Sequence, residues 1–386
     1  VRRVYRYRLY PTHAQEAALV ATLGLLRELY NAALQERRDA YRTTGKSPTN
    51  YDQQKSLIEV RALRPEFAAI HTHLLQDVLT RLDRAFVAFF RRCRKGDTPG
   101  YPRFKGRGRY ESFTFKDAAH GNGAALCAGD KRLRLAGIGK VKIKLHRPYA
   151  GRLKQVTVTR DSDGHWYAAL VCDDVPAKPL PSTGKTVGVD VGITTFAALS
   201  DGSDPIENPR PLQRAQRKLG RAQRRVAKKH KGSKRRRKAV RVLARQHATV
   251  RNTRTDFHHK TARDLVRRYD QITVEDLNVK GLARGMLARP VHDAGWAQFT
   301  MILAAKAEEA GREVVRVNPA GTSQQCSACG ATARKDLSVR VHRCACGYVA
   351  DRDVNAARNI HRLGQSRRRG APVGDSDDPR SHLIGR

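Results

Sequence analysis

The chain has 386 residues, with 76 Lys and Arg against 36 Asp and Glu, a formal net charge of +40 and an isoelectric point near 10.8. An excess of one sign that large repels itself unless a polyanion neutralises it, which argues against a merely solvated basic surface and points to nucleic acid. Hydrophobic residues at 40% supply material for real cores, so the chain is no disordered basic tail, and its length predicts two or three domains.

The opening VRRVYRYRLYPT reads as a strand that Pro11 ends and Thr12 turns into a helix start. It is charged throughout and carries no apolar signal segment, and no run of 18 or more apolar residues follows. An intracellular protein without a membrane partner is expected. From residue 12 to 95 the apolar spacing is helical, as in AALVATLGLLRELYNAAL and THLLQDVLTRLDRAFVAFFRRC. From 96 to 180 short runs such as RLRLAGIGKVKIKLHR, KQVTVTR and HWYAALVC, divided by Gly or Asp, predict a β-rich unit that residues 1–11 join, with 12–95 as a helical insertion.

The stretch GYPRFKGRGRYESFTF, residues 100–115, sets aromatic rings among cations. Phe113 and Phe115 alternate with Ser112 and Thr114 and read as inward residues of a strand. Tyr101 and Phe104 remain as rings that could stack on exposed bases, and Arg103, Lys105, Arg107 and Arg109 as phosphate contacts.

VPAKPLPSTGK, with three prolines, marks a boundary near residue 181. TVGVDVGITTFAALSDG then reads as a β-hairpin around Gly192. In the basic stretch that follows, Gly232 and Ser233 separate two helices. Like charges at helical spacing destabilise a free helix, so this pair is expected to contact phosphates. Residues 363–386, rich in Gly, Ser, Pro and charge, are expected to be disordered.

Metal-dependent phosphodiester cleavage needs carboxylates, because hard divalent cations take oxygen ligands. Asp190 lies inside GVDVG, where Gly188 and Gly192 permit a close approach. Glu275 ends the apolar run of QITVEDL. Asp353 starts a helix in DRDVNAARNI, with Ala356 and Ala357 suited to close packing. Each also has a plainer reading: a strand-edge acid, a surface acid and a helix N-cap.

Of the seven cysteines, Cys93, Cys127 and Cys172 stand apart. Cys326 and Cys329 form CxxC, and Cys344 and Cys346 form CxC. Two close pairs across a loop can close a tetrahedral Zn²⁺ site, with Gly330 and Gly347 at the knuckle turns. Four protein ligands leave no open position, so the site is expected to be structural. The short CxC spacing leaves nearby His342 as a possible substitute ligand.

YRYRLYPT, GYPRFK, GVDVGITTFAALSDG, HKTARDLV, ITVEDLNVKGL, NPAGTSQQCSACG and DRDVNAARNI, in that order, resemble the transposon-encoded TnpB family, RNA-guided nucleases related to the type V CRISPR effectors. The resemblance implies a multidomain α+β chain: a β-barrel-like wedge domain with a helical insertion, then an RNase H-like (RuvC) domain over 181–362 with a zinc ribbon inserted at 320–350. It makes Asp190, Glu275 and Asp353 the ligands of catalytic Mg²⁺, two ions being expected, and does not carry over to Asp351. It also implies Tyr51, in NYDQQKSLIEV, as a DNA contact, a guide RNA from the transposon end, a double-stranded DNA target, a separate transposase of the same element, and a cytoplasmic, nucleoid-associated prokaryotic setting. An RNA-guided binder that does not cut and a transposase acting directly on transposon ends are the competing readings.

Overall fold

The structure, a computed structural model, describes residues 1–370 apart from 128, 130, 334, 335, 337 and 338, with side chains as far as residue 366. The chain divides into two units between Pro176 and Ala177. The division falls a few residues before Pro181 because Lys178 N and Leu180 N donate to Glu309 O and Ala310 O, which ties this stretch to the second unit.

The first unit opens with β1 (Arg3–Tyr10) and the long helix α1 (His13–Thr44). Thr12 caps α1 as its sequence predicts: its hydroxyl accepts from Gln15 N, and the Gln15 side chain accepts from Thr12 N. Three short helices, α2 (Asn50–Lys55), α3 (Leu57–Leu63) and α4 (Pro65–Ala68), lead to α5 (Thr72–Arg94). Over one window α1 is long and apolar enough to match a bilayer. Its Leu19, Leu23 and Leu26, however, belong to one buried cluster with Leu75, Val78, Leu79 and Leu82 of α5, the 3.6-residue spacing placing both sets inward.

Six strands follow: β2 (Ser112–Phe115), β3 (Ala124–Leu126), β4 (Arg132–Leu135), β5 (Gly139–Lys144), β6 (Arg152–Arg160) and β7 (Trp166–Asp173). With β1 they form an antiparallel sheet ordered β2-β6-β7-β1-β5-β4-β3, so the opening strand does join the later ones. Burial alternates along β7, as one-sided packing requires. Strand β2 departs from that alternation. Phe113 and Phe115 are buried, but so is Thr114, because side chains of α5 reach it at the sheet edge, Arg81 donating to Thr114 Oγ1 at 3.0 Å. There Asp77 accepts from Thr114 N at 3.1 Å, which satisfies a donor that an edge strand would otherwise leave open.

The second unit starts with β8 (Thr186–Val191), β9 (Thr195–Leu199) and β10 (Ile206–Glu207), then α6 (Pro211–Ala227) and α7 (Lys234–Arg268). Next come β11 (Gln271–Glu275), α8 (Val279–Leu282), α9 (Ala288–Ala294), α10 (Trp296–Ala310) and β12 (Glu313–Val317). A short hairpin, β13 (Val341–Arg343) with β14 (Val349–Asp351), precedes α11 (Arg352–Gly370). The central sheet has the order β10-β9-β8-β11-β12. Strands β8 and β9 are antiparallel, while β11 runs parallel to both β8 and β12.

Alternation along the strands assigns the two faces. Val187, Val189, Ile272 and Val274 share a cluster with Leu265 of α7 and Phe299 and Leu303 of α10. Gly188 and Asp190 therefore face the other way, as do Thr273 and Glu275, toward α11. The approach there is close: a Cβ at Gly188 would collide with the Ala357 carbonyl oxygen and lie 2.6 Å from the His361 nitrogen, and one at Gly364 would collide with the Thr273 side chain. Helix α11 runs through Gly370, past residue 363, where the sequence predicts the start of a disordered tail. It continues because Gly364 seats on Thr273 and the Gln365 amide donates to Thr186 and Gln271. Residues 371–386, the rest of that expected tail, lie outside the described residues.

Asp270 clasps the segment that enters this unit. Its carboxylate accepts from Ser182 Oγ at 2.5 Å, from Thr183 N and Oγ1, and from Gly184 N, and it pairs with Arg312 at 2.6 Å. These donors hold its pKa well below the usual carboxylate range, the Ser182 hydroxyl contributing most. A depressed folded-state pKa means stability that is present above the unfolded value and lost as pH falls. Thermal melts of wild type and Asp270→Asn should therefore differ at pH 7, the variant melting earlier, and the gap should narrow below about pH 4.

Candidate active site and cysteine centre

The three acids that sequence order singled out come together on the α11 face of the central sheet. Asp190 sits on β8 beside β11, where Val189 pairs with Val274, so Glu275 emerges next to it. Asp353 is in the first turn of α11, and its Oδ2 would lie 3.9 Å from a Cβ at Gly192, two residues past Asp190. All three are half-buried, shielded by their surroundings yet reached by solvent. Burial, with repulsion from Glu275 and Asp353, raises the Asp190 pKa well above the carboxylate range. Burial also raises Glu275, against a hydrogen bond donated by the Thr322 hydroxyl at 2.5 Å.

The N-cap reading belongs to a neighbour. Asp351, not Asp353, accepts from the first-turn amides of α11, at 2.8 Å from Asp353 N and 3.2 Å from Val354 N. With the helix end satisfied by Asp351, the Asp353 carboxylate is left for the site, where Arg352 Nε lies 3.4 Å and Arg340 Nη1 3.9 Å away. Carboxylate oxygens suit a hard divalent cation, and Glu275 and Asp353 lie close enough to Asp190 to repel its charge, but among the described residues the ligand atoms that all lie within 4.8 Å of one another are those of the four cysteines.

The sulfur atoms of Cys326, Cys329, Cys344 and Cys346 all lie within 4.8 Å of one another. Gly330 and Gly347 take φ of 80° and 84°, which L side chains avoid, and their amides donate back to Cys326 O and Cys344 O. These are the two knuckle turns. His342 is fully buried, with its ring 6.0 Å from that of Tyr348, and the converging set consists of the four cysteines.

The thiols compete for negative charge. Burial opposes ionisation of Cys326, but the amides of Cys329 and Ala328 and the His342 side chain bring it down to about 6. At Cys346 the Tyr348 amide favours the thiolate, yet hydrogen bonds with Cys344, Cys329 and Cys326 push it up to about 12. A soft divalent cation would let all four ionise, so the donor set fits a tetrahedral thiolate metal centre.

In the first unit the candidate nucleic-acid residues occupy a segment without regular structure before β2. Tyr101 and Phe104 are each 45% exposed, the Tyr101 ring being braced edge-on by Phe86 and Phe89 of α5. Asn31 of α1 pins the segment through both its amide atoms, to Lys105 O and Lys105 N. Arg103, Arg107 and Arg109 are exposed, and the Lys105 ammonium lies 5.3 Å from the Tyr30 ring. Tyr51 lies on a different element, α2, exposed, with Lys55 Nζ 4.6 Å from its ring. In the second unit α6 buries Pro211, Leu219 and Ala222 and leaves Arg217, Arg221, Arg224 and Arg225 exposed.

Sequence reasoning missed Thr322, Asn355 and Asn359, which are buried beside the site. Two asparagines four residues apart on a helix otherwise lined with alanine were the available signal.

Family models match three segments: one described as "Probable transposase" over residues 156–286, one as "Cas12f1-like, TNB domain" over 296–360, and a "Helix-turn-helix domain" over 1–46. A "TnpB-like protein" of Acanthamoeba polyphaga mimivirus is 30% identical over 239 residues, covering 58% of this chain and 46% of its own. A Streptomyces pristinaespiralis protein named "Putative RNA-guided DNA endonuclease" is 36% identical over 379 residues, covering 94% of this chain and 90% of its own. The chain belongs to the TnpB family. A protein from Escherichia coli K12 named "Putative RNA-guided DNA endonuclease InsQ" is 31% identical, with 94% of this chain and 92% of its own covered. Among solved structures, a Cas12f1–sgRNA–target DNA complex has a similar fold, with a TM-score of 0.57 at 14% identity over 90% of this chain and 83% of that one. The mini-RNA-guided endonuclease CRISPR-Cas_phi3 gives a TM-score of 0.50 at 11% identity over 97% and 94%.

Proposed function

We propose that this TnpB-family protein is an RNA-guided DNA endonuclease that hydrolyses phosphodiester bonds beside a short duplex motif in one RuvC-type site. The observation that carries the reading is the meeting of Asp190, Glu275 and Asp353 on one face of the central sheet in a chain of net charge +40. The second unit is then the RNase H-like domain, with residues 320–350 as its inserted zinc ribbon. The first is the wedge-type unit with its helical insertion.

The three carboxylates would hold Mg²⁺, two ions by the family resemblance. Held there, Mg²⁺ would supply charge stabilisation to the scissile phosphate and make an attacking water easier to deprotonate. The protein's own part is to fix the acids on rigid elements and to keep Asp351 as the helix cap. Zn²⁺ at the four cysteines would be structural. A guide RNA from the transposon end would read the target by base pairing, while Tyr101, Phe104 and the cations around them, with the arginine face of α6, would meet backbone and bases. A separate transposase would move the element, and the setting would be the prokaryotic cytoplasm.

The test is to purify the protein from cells that carry its native flanking DNA and sequence the RNA retained through a moderate-salt wash. One abundant RNA ending in transposon-flanking sequence is expected, and that RNA should direct Mg²⁺-dependent cutting of a matched duplex. A mixture of unrelated RNA that leaves as salt rises would mean general polyanion affinity and would overturn the guided reading.

A further inference from the structure

Strand β11 fixes the backbone of Glu275, but its last ladder partner is Val317 and the flexible side chain extends past that support. A carboxylate that must hold a cation needs its orientation set by an outer group. Thr322 fills this position. It is 3% exposed, and its hydroxyl donates to Glu275 Oε1 at 2.5 Å, with the Pro319 carbonyl as a second acceptor at 3.0 Å. That bond engages one carboxylate oxygen and leaves Oε2 as a ligand atom.

Thr322 lies outside regular structure, so something must hold it in turn. Two buried amides of α11 do so. Asn359 Nδ2 donates to Thr322 O at 2.9 Å and to Gln325 O at 2.8 Å. Asn355 Nδ2 donates to Gln325 O at 2.7 Å, while its Oδ1 accepts from Ser327 N at 2.8 Å. Asn355 and Asn359 are one helical turn apart and share a face. Burying two amides is costly unless they are bonded, and both direct their N–H donors to this one stretch, while Asn359 Oδ1 accepts from Arg362 of α11. The same helix carries Asp353, and the same stretch carries Cys326.

We propose that Thr322 is a positioning residue that orients Glu275 for its cation, held in register with Asp353 by Asn355 and Asn359. The inference rests on Glu275 being a cation ligand, and the experiment separates the two claims. The probe is Mn²⁺, titrated into the full-length, RNA-free protein and followed by electron paramagnetic resonance of the free ion, with Glu275→Ala as background. Thr322→Val keeps the side-chain shape and removes the hydroxyl. It should weaken Mn²⁺ binding about tenfold, the scale of outer-group effects on metal sites, when measured well below its melting temperature. Thr322→Ser, which restores the hydroxyl, should stay within about twofold of wild type by the same reasoning. Asn359→Ala should lose affinity in the same direction.

Thr322→Val binding Mn²⁺ as tightly as wild type would overturn the inference, as would Thr322→Ser binding as weakly as Thr322→Val. Both results leave Glu275 as a ligand. Wild type binding no more Mn²⁺ than Glu275→Ala would overturn the ligand assignment of Glu275 together with the inference.

Discussion

Asp190→Ala should abolish cutting of a guide-matched duplex while leaving RNA and target binding within a few-fold of wild type. Asp190 is the acid on the central strand, flanked by Glu275 and Asp353 and raised in pKa by burial and by both of them. Charge stabilisation in a preorganised site is commonly the largest catalytic contribution, and loss of one fixed donor already costs about 10²–10³-fold. Loss of a carboxylate that would hold the proposed Mg²⁺ should exceed that, so a fall of at least about 10³-fold is expected, equivalent to about 4 kcal/mol of barrier. Binding is spared because phosphate and base contacts involve cations and rings, not this carboxylate. Asp353→Ala should behave alike. Asp351→Asn, which retains a capping side chain, should still cut, because Asp351 spans the first-turn amides of α11. The measurement is single-turnover cleavage with the guide RNA and Mg²⁺, beside a binding assay without Mg²⁺. Undiminished cutting by Asp190→Ala would sink the assignment of the trio.

Gly188→Ala should be the most destabilising single methyl in the second unit. The added Cβ would collide with the Ala357 carbonyl and come within 2.6 Å of the His361 nitrogen, both backbone groups of α11 that no rotamer change can move aside. Overpacking of a closed interface costs about 1–3 kcal/mol, and about 2–4 °C in melting temperature per kcal/mol is typical for a unit this size. A fall of about 5–10 °C follows from the upper part of that range. Because α11 carries Asp353 and β8 carries Asp190, separation of the two elements should also weaken cutting. Gly220→Ala on α6 is the comparison: no atom lies within 4 Å of its Cβ, and a helical alanine should be neutral or stabilising by about 0.5–1 kcal/mol. Equal melting of the two variants would refute this account of the β8–α11 contact.

The physical reason for Gly188 is partly legible in the sequence. A glycine in a short apolar strand beside an acid implies a close neighbour, and the neighbour proves to be the Ala357 turn of a helix more than 160 residues later. Strand and helix periodicities likewise indicate where β1, α1, α5, β8, β9 and β11 lie, because local burial patterns repeat at 2.0 and 3.6 residues. Thr114 shows the limit: alternation alone places it outward, and only the seat of α5 on β2 buries it. The end of α11 shows another, since Gly364 and Gln365 read as linker until Thr273, Thr186 and Gln271 supply their contacts.

By itself the sequence indicated a polyanion partner, through net charge; the convergence of the four cysteines, through ligand chemistry at short spacing; and three candidate acids, through motif order. Tertiary structure decided that Asp351 caps the helix and Asp353 is released to the site. It also decided that β8 and β11 lie side by side, so that Asp190 meets Glu275, and that Thr322 holds Glu275 under the control of Asn355 and Asn359. These are contacts between residues far apart in the chain, and they depend on sheet order and helix docking. No local pattern of charge or hydrophobicity encodes which distant group a side chain will meet.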